Sequence, residues 1–272
     1  MDNETKKAYI MWGGIALLVA LYFGGRAIYI AYENQQQQIE TLTKQQQTAQ
    51  QQAQNAQAEL QQVENQTPNL STIISTWRPI VGHVACQFND GNILLGSSTL
   101  VIPSDGSEKY VITNLHVIDE DLSGNYASSC AIKFPLDDTI FDASNPDASG
   151  GSDFTVATNN SDNARIYLSS IDDYLENMTT EGRHMCDSIP NVGDSIVILG
   201  YPSIGSQTDI TATQGIISGY DGDYYITSAG IDHGNSGGAA IDETNNCYLG
   251  IPTWVESGSF ESLGRILKWQ AF

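Results

Sequence analysis

Thr227-Ser228-Ala229-Gly230-Ile231-Asp232-His233-Gly234-Asn235-Ser236-Gly237-Gly238 closes the alternating run Tyr224 to Ala229 and then sets a serine among glycines. A serine in that frame suits acyl transfer. The tetrahedral intermediate needs an attacking oxygen and, beside it, two N–H donors aimed at the developing oxyanion, and side chains larger than hydrogen would block the approach. The amides of Gly234 and Ser236 are the candidate oxyanion-hole donors. The competing reading is a Gly-rich turn of a β protein. A base and its orienter upstream decide between the two.

Thr113-Asn114-Leu115-His116-Val117 follows the apolar run Tyr110-Val111-Ile112. A strand ends there and presents His116 as the candidate general base. Of the three other histidines, His83 sits in an apolar strand pattern, His184 in a polar loop, and His233 three residues before the serine. These read as structural or solvated.

With these residues in hand, the chain resembles the chymotrypsin-fold (trypsin-like) serine peptidases, and in its motifs the HtrA/DegP-like group. Thr113 to Val117 is similar to that group's T-N-x-H-V, and Thr227 to Gly238 to its T-D-A-x-I-x-x-G-N-S-G-G. Val192-Gly193-Asp194-Ser195-Ile196-Val197-Ile198-Leu199-Gly200-Tyr201-Pro202 and Thr213-Gln214-Gly215-Ile216-Ile217-Ser218 resemble its V-G-D-x-V-x-x-I-G-x-P and T-x-G-I-V-S segments. The resemblance runs from about Ile80 to Gly250. It implies an all-β fold of two six-stranded antiparallel Greek-key barrels.

The resemblance also implies a triad aspartate opening a strand. Asp162-Asn163-Ala164-Arg165-Ile166-Tyr167-Leu168 fits that pattern, with Asn163 where an aliphatic residue is usual; Asp153-Phe154-Thr155-Val156 competes. Asp162 is preferred because Phe154 to Ala157 reads as the short strand before the aspartate loop. The order His, Asp, Ser agrees with chymotrypsin and not with subtilisin or the α/β-hydrolases. In relatives activated by zymogen cleavage the position of Asn235 is an aspartate that pairs with a freed N-terminus. An amide cannot make that pair, so the domain is expected to be competent without cleavage.

Short apolar or alternating runs support the β class independently: Ile80 to Phe88, Asn92 to Ile102, Lys109 to Thr113, Ser129 to Phe134 and Ser195 to Tyr201 lie between clusters of Gly, Asn, Asp and Ser. No G-x-G-x-x-G or Walker-type loop occurs. The specificity pocket is expected around Asp221 to Gly230 and Ile251 to Trp254. The 34 residues after Gly238 have room to finish the second barrel and add a short element from Glu261 to Phe272, so no PDZ domain is carried over. The segment before the histidine reads Gly96-Ser97-Ser98 where the group has G-S-G.

Upstream, Ala8 to Gly25 is an uncharged apolar stretch of 18 residues that continues past Arg26 to Tyr32. At ~1.5 Å per residue it can cross a bilayer as a helix. Arg26 can snorkel, and Tyr9, Trp12, Tyr29 and Tyr32 suit the interfaces. No A-x-A-like site follows, which favours an uncleaved signal anchor over residues 8–32 rather than a cleaved signal peptide. Lys6 and Lys7 precede the span and the next basic residue past Arg26 is Lys44, so the N-terminal residues 1–7 are expected in the cytoplasm and the catalytic part outside, periplasmic or extracellular.

Four cysteines, two per expected barrel, fit an oxidising compartment and would pair as Cys86 with Cys130 and Cys186 with Cys247. A zinc site from His83, Cys86, His184 and Cys186 has spacings that match no strong metal pattern. No metal or cofactor is called for by the chemistry.

Residues 33–67 turn to Gln and Ala, with Ile39, Leu42, Gln46, Ala49, Ala53, Ala56, Leu60 and Val63 at heptad spacing. A helical stalk follows; a coiled-coil homo-oligomer competes with a lone solvated helix or a disordered spacer. Residues 1–67 hold four basic and six acidic side chains, leaving −19 of the formal −21 on residues 68–272. That acidity argues for solubility and repels nucleic acid. About 205 residues suffice for one two-barrel peptidase unit. The reading is peptide-bond hydrolysis through an acyl-enzyme, with polypeptide substrates. The alternatives are an inactive pseudopeptidase that displays a binding surface, and a stalk protein with a passive head.

Overall fold

The computed structural model describes residues 3–66, 69–103, 108–119, 122, 124–144, 154–156, 161–168, 173–178, 183–206, 208–258 and 262–272; of residues 3–13, 15–17, 19, 59–66, 154–156 and 173 it describes the backbone alone. Two compact units divide the chain, residues 1–66 and 67–272.

The first unit is one helix, α1 (Asn3–Gln66). The segment has no proline and is rich in Gln and Ala, which are good helix formers. Pairs one turn apart add a few tenths of a kcal/mol each: Lys44 Nζ lies 2.7 Å from Glu40, and the Tyr29 hydroxyl donates to Glu33 at 2.8 Å. All the described side chains of α1 are exposed, including Ile39 and Leu42 of the heptad seam. Among the described residues no helix is long and apolar enough to cross a membrane. The apolar run 8–25 falls in large part on positions 8–13, 15–17 and 19, whose side chains lie outside that description.

The second unit opens with α2 (Leu70–Trp77). Asn69 caps it, its side chain accepting the Thr72 amide at 2.8 Å, and Ile73 and Trp77 are buried. Seven antiparallel strands then form one sheet: β1 (Val81–Gln87), β2 (Ile93–Val101), β3 (Tyr110–Thr113), β4 (Ser129–Lys133), β5 (Ile140–Ser144), β6 (Phe154–Val156) and β7 (Ala164–Tyr167), in the order β5-β4-β1-β2-β3-β7-β6. The one-turn helix α3 (Leu115–Ile118) follows β3, and α4 (Asp173–Glu176) follows β7. The remaining six strands, β8 (Ser195–Gly200), β9 (Thr211–Asp221), β10 (Tyr224–Thr227), β11 (Ala239–Asp242), β12 (Cys247–Ser257) and β13 (Ser262–Lys268), close a barrel in the order β10-β13-β12-β11-β8-β9.

The first sheet therefore departs from the expected six-stranded barrel. The extra strand is the three-residue β6, and among the described residues β5 and β6 do not pair with each other, so they are the two edges. The connection between them, residues 145–153, lies outside the described residues.

Strand periodicity explains how the halves join. Successive side chains of a strand face opposite ways. In β8, Ile196 and Ile198 fill the barrel with Ile217, Tyr225 and Leu249, whereas Val197 and Leu199 pack into the core that runs on through Val84, Leu100 and Ile112 of the first sheet. A strand buried on both faces reads as an unbroken apolar run, as Ile196 to Leu199 does. Each such side chain contributes roughly 1.5–3 kcal/mol relative to exposure.

One disulfide staples each half. Cys86 and Cys130 face each other across β1 and β4, and Cys186 is joined to Cys247 at the start of β12. Both cysteines of the alternative zinc set, Cys86 and Cys186, are thus bonded to other cysteines, and a disulfide sulfur has no thiolate to offer a metal.

Candidate active site

β3 ends at Thr113, and the chain turns through Asn114 into α3, which carries His116 on its first turn. Val117 and Ile118 on the same turn are buried, so the helix is fixed by its apolar side while His116 stays one-third exposed. Asp162 precedes β7. Thr113 pairs with Ala164 in the register of β3 with β7, which brings the two strand ends, and hence Asp162 and His116, together.

Asp162 grips the histidine twice. Its Oδ1 accepts the His116 backbone amide at 3.0 Å, and its Oδ2 lies 2.8 Å from Nδ1. A carboxylate only accepts, so Nδ1 carries a proton, and in the neutral ring Nε2 then presents its lone pair. That lone pair faces Ser236 Oγ at 2.9 Å. The hydroxyl has a second acceptor, the Thr253 carbonyl at 3.0 Å, and a single proton to share between them.

Asn114 locks the set from beneath. It is fully buried, and its Nδ2 donates to the Asp162 carbonyl at 2.8 Å and to Thr253 Oγ1 at 3.1 Å, with Asp162 Oδ2 at 3.3 Å. One amide thus ties the acid's loop in the first sheet to β12 of the barrel. Asp153, the competing acid, lies outside the described residues. Asn163, the departure from the aliphatic pattern, is buried beside the acid, and its Nδ2 reaches the Ala271 carbonyl at 3.5 Å.

Ser236 is 9% exposed, in a loop between β10 and β11. Gly234 has φ +96° and Gly237 φ +91°, the left-handed region that glycine alone enters at no cost. A Cβ at Gly234 would overlap the Tyr201 carbonyl, and one at Gly237 would overlap the Ser97 carbonyl. Among the described residues the Gly234 and Ser236 amides make no hydrogen bond, which leaves them as donors for a ligand. Asn235 is buried and its Oδ1 has no partner among the described residues.

A cleft of about 580 Å³ holds His116 and Ser236, with Ile231, Asp232, His233, Trp254 and Val255 along its walls. The pocket expected from Asp221 to Gly230 begins later, at Ile231, because Asp221 to Thr227 belong to the hairpin of β9 and β10. Thr253 and Trp254 do line it. His233, read as structural or solvated, stands at the mouth. His83 stacks on Tyr201 with ring centroids 4.9 Å apart, and His184 is exposed. A smaller cavity of about 380 Å³ shares no residue with this cleft.

The sequence places Asn114 in the histidine motif and Thr253 in a pocket segment but points to neither as a clamp on the acid, because the partners of Asn114 are 48 and 139 positions away.

A carboxylate, an imidazole and a hydroxyl in line, met in the chain order His, Asp, Ser across two β halves, are the arrangement of chymotrypsin-type serine peptidases. The trypsin-like peptidase domain matches residues 96–251, and the chain belongs to that family. A search of curated proteins returned no match. Among solved structures, the serine endoprotease from Yersinia pestis is 26% identical, with TM-score 0.53, over 74% of this chain and 62% of that one. The chain thus spans less than two thirds of that structure's length. The Rv3671c protease of M. tuberculosis, in an inactive form, is 21% identical with TM-score 0.50, over 75% of this chain and 93% of that one, and shares the fold.

Proposed function

We propose that the chain is a membrane-anchored serine endopeptidase that cleaves polypeptides through an acyl-enzyme and needs no zymogen cleavage. The observation that carries this reading is the position of His116, whose Nδ1 is 2.8 Å from Asp162 and whose Nε2 is 2.9 Å from Ser236. Ser236 attacks the scissile carbonyl while its proton passes to His116 Nε2. Asp162 holds the tautomer and stabilises the imidazolium, the amides of Gly234 and Ser236 take the oxyanion, and His116 returns the proton to the leaving amine. Water then repeats the sequence on the acyl-enzyme. Because position 235 is an amide, the competent loop depends on no buried ion pair with a new N-terminus.

Residues 8–32 serve as a signal anchor, residues 33–67 as a stalk, and residues 68–272 work on the outer face of the membrane. The disulfides fit that compartment.

The test is labelling of the full chain in membranes by a serine-reactive fluorophosphonate, beside Ser236→Ala. Uptake that depends on Ser236 is expected; equal labelling of the two proteins would leave the pseudopeptidase in its place. Extraction of the protein by alkaline carbonate would remove the anchor from the reading.

A further inference from the structure

We propose that Ser97, a residue of β2 in the first sheet, positions the oxyanion hole of the second barrel through its hydroxyl; this deepens the hydrolase reading above and rests on it. Ser97 is fully buried, and each of its polar groups is engaged. Its Oγ donates to the Gly234 carbonyl at 2.7 Å and accepts the Tyr201 amide at 2.9 Å. Its backbone amide donates to the Ser236 carbonyl at 2.8 Å, and its own carbonyl accepts the Thr113 hydroxyl at 2.8 Å.

These bonds act on the candidate oxyanion donors through the rigidity of the peptide plane. In a trans peptide C=O and N–H point opposite ways, so holding one carbonyl aims the amide of the next residue. The amide of Gly234 belongs to the plane of His233, whose carbonyl accepts Ser203 N–H at 2.7 Å. The amide of Ser236 belongs to the plane of Asn235, whose carbonyl accepts Gly238 N–H at 3.0 Å. The planes that alternate with these, beginning at Gly234 and at Ser236, are both held by Ser97. Without Ser97, the plane between Gly234 and Asn235 would keep only the bond of the Asn235 amide to the Asp232 carbonyl at 3.0 Å, beside a residue whose lack of Cβ permits rotation.

Ser97 also occupies the structural place left open by Asn235. A buried ion pair at position 235 would hold the loop from inside the barrel, but here Asn235 Oδ1 has no partner among the described residues. The Ser97 bonds add a hold from the sheet that bears His116 to the bonds the loop makes within its own half, such as Gly237 N–H to the Pro252 carbonyl. Gly200, beside Tyr201, would bring a Cβ to 3.0 Å from Ser97 Oγ, so the hydroxyl is packed as well as bonded.

Ser98 provides a matched control. It is equally buried, and among the described residues its Oγ bonds only within the first sheet, to the Gly82 carbonyl at 3.4 Å. The experiment compares wild type, Ser97→Ala and Ser98→Ala on a peptide selected from a mixed library, together with a trifluoromethyl ketone of that peptide and the corresponding alcohol. The ketone forms a bond from Ser236 Oγ to its carbonyl carbon, passes the hydroxyl proton to His116 Nε2 and places an oxyanion in the hole; the alcohol binds the cleft without one.

For Ser97→Ala we expect kcat to fall about tenfold to a hundredfold, below the loss for deleting a donor outright, with KM within about twofold. Affinity for the ketone should fall by the same factor and affinity for the alcohol should hold. Ser98→Ala should keep kcat. Unchanged kcat in Ser97→Ala, equal loss of ketone and alcohol binding, or the same kcat loss in Ser98→Ala overturns the proposal. If Ser97→Ala does not fold, Ser97→Cys, of similar volume with a weak S–H donor, is judged by the same criteria. A wild type that turns over no peptide overturns the hydrolase reading itself, whereas an active wild type with an unaffected Ser97→Ala overturns this inference alone.

Discussion

In the closed barrel every strand has a neighbour on both sides, whereas the first sheet ends in two edges, β5 and β6, among the described residues. The nucleophile belongs to the barrel. Ser236 follows β10 and precedes β11, with Gly237 and Gly238 packed against Ser97 and Leu199. The base and the acid belong to the open sheet, and Asp162 lies between β6 and β7, one strand from an edge. A loop near an edge lacks a ladder to hold it, so other bonds must do so. Asn114 and the His116 amide supply them here, three bonds on a single aspartate. The difference teaches that the nucleophile's loop is fixed by close glycine packing and by bonds to its backbone, whereas the acid near the sheet's edge is fixed by side-chain hydrogen bonds.

The largest expected effect comes from cutting the line where it crosses between the halves. Ser236→Ala and His116→Ala should each lower kcat by about a millionfold, and the double variant should lose no more, because groups that act as one unit fail together. Turnover of a cleaved peptide, with far-UV circular dichroism to verify the fold, reads this. Additive losses would mean that the two halves act independently.

Within the sheet, Asp162→Asn should cost about ten-thousandfold in kcat. The His116 amide still needs an acceptor, so the new side chain turns its oxygen there and its NH₂ toward Nδ1. The ring proton is then driven to Nε2, where it blocks uptake of the serine proton. Asn114→Ala should be milder, about tenfold in kcat, with about 1–3 kcal/mol of stability lost to the acceptors it leaves. An Asp162→Asn enzyme with normal turnover would move the acid elsewhere, and Asp153→Asn would then be the variant to collapse.

How much of this could be read beforehand depends on how local each signal is. Ser236 and His116 lie in short motifs whose chemistry is complete within a few residues. Asp162 needed the resemblance, since two aspartates stood before plausible strands and spacing alone did not separate them. β5 was missed although Phe141 and Ala143 alternate with exposed Ile140, Asp142 and Ser144, because a run that brief with one aromatic looks like its turn-rich surroundings. β11 to β13 read only as the remainder of a barrel, since strands buried on two faces lose the alternation that marks them. The bonds of Ser97 and Thr253 to the nucleophile's loop were beyond reach: their partners lie 137 and 17 positions away, and a buried serine or threonine in a strand has no distinctive pattern.

The disulfides test whether open and closed sheets differ in stability as well as in positioning. They span 44 and 61 residues. Chain entropy alone gives about 4 kcal/mol for either, with the two differing by about 0.3 kcal/mol. Cys86→Ala with Cys130→Ala, against Cys186→Ala with Cys247→Ala, measured by urea unfolding, should therefore cost nearly the same. A gap above about 1.5 kcal/mol would sharpen the contrast, because it would have to come from the folded state, where Cys86 and Cys130 already face each other across hydrogen-bonded strands.

The smallest effect expected is at the seam between the halves, where His83 of β1 stacks on Tyr201 beyond β8. Burial lowers the His83 pKa below its ordinary value, because the charged ring loses solvation. The unfolded chain then binds more protons than the folded one between the two pKa values, so unfolding free energy rises with pH there. The contribution of His83 is fully present above the unfolded value, about pH 6.5, and is lost as pH falls through it toward the lowered folded value. Urea midpoints from pH 5 to 8 should fall on acidification, and His83→Gln should flatten that fall by removing one titrating group. Parallel curves for the two proteins would mean that His83 takes its proton without leaving the stack, and the seam would then be open to water where the barrel's own interior is not.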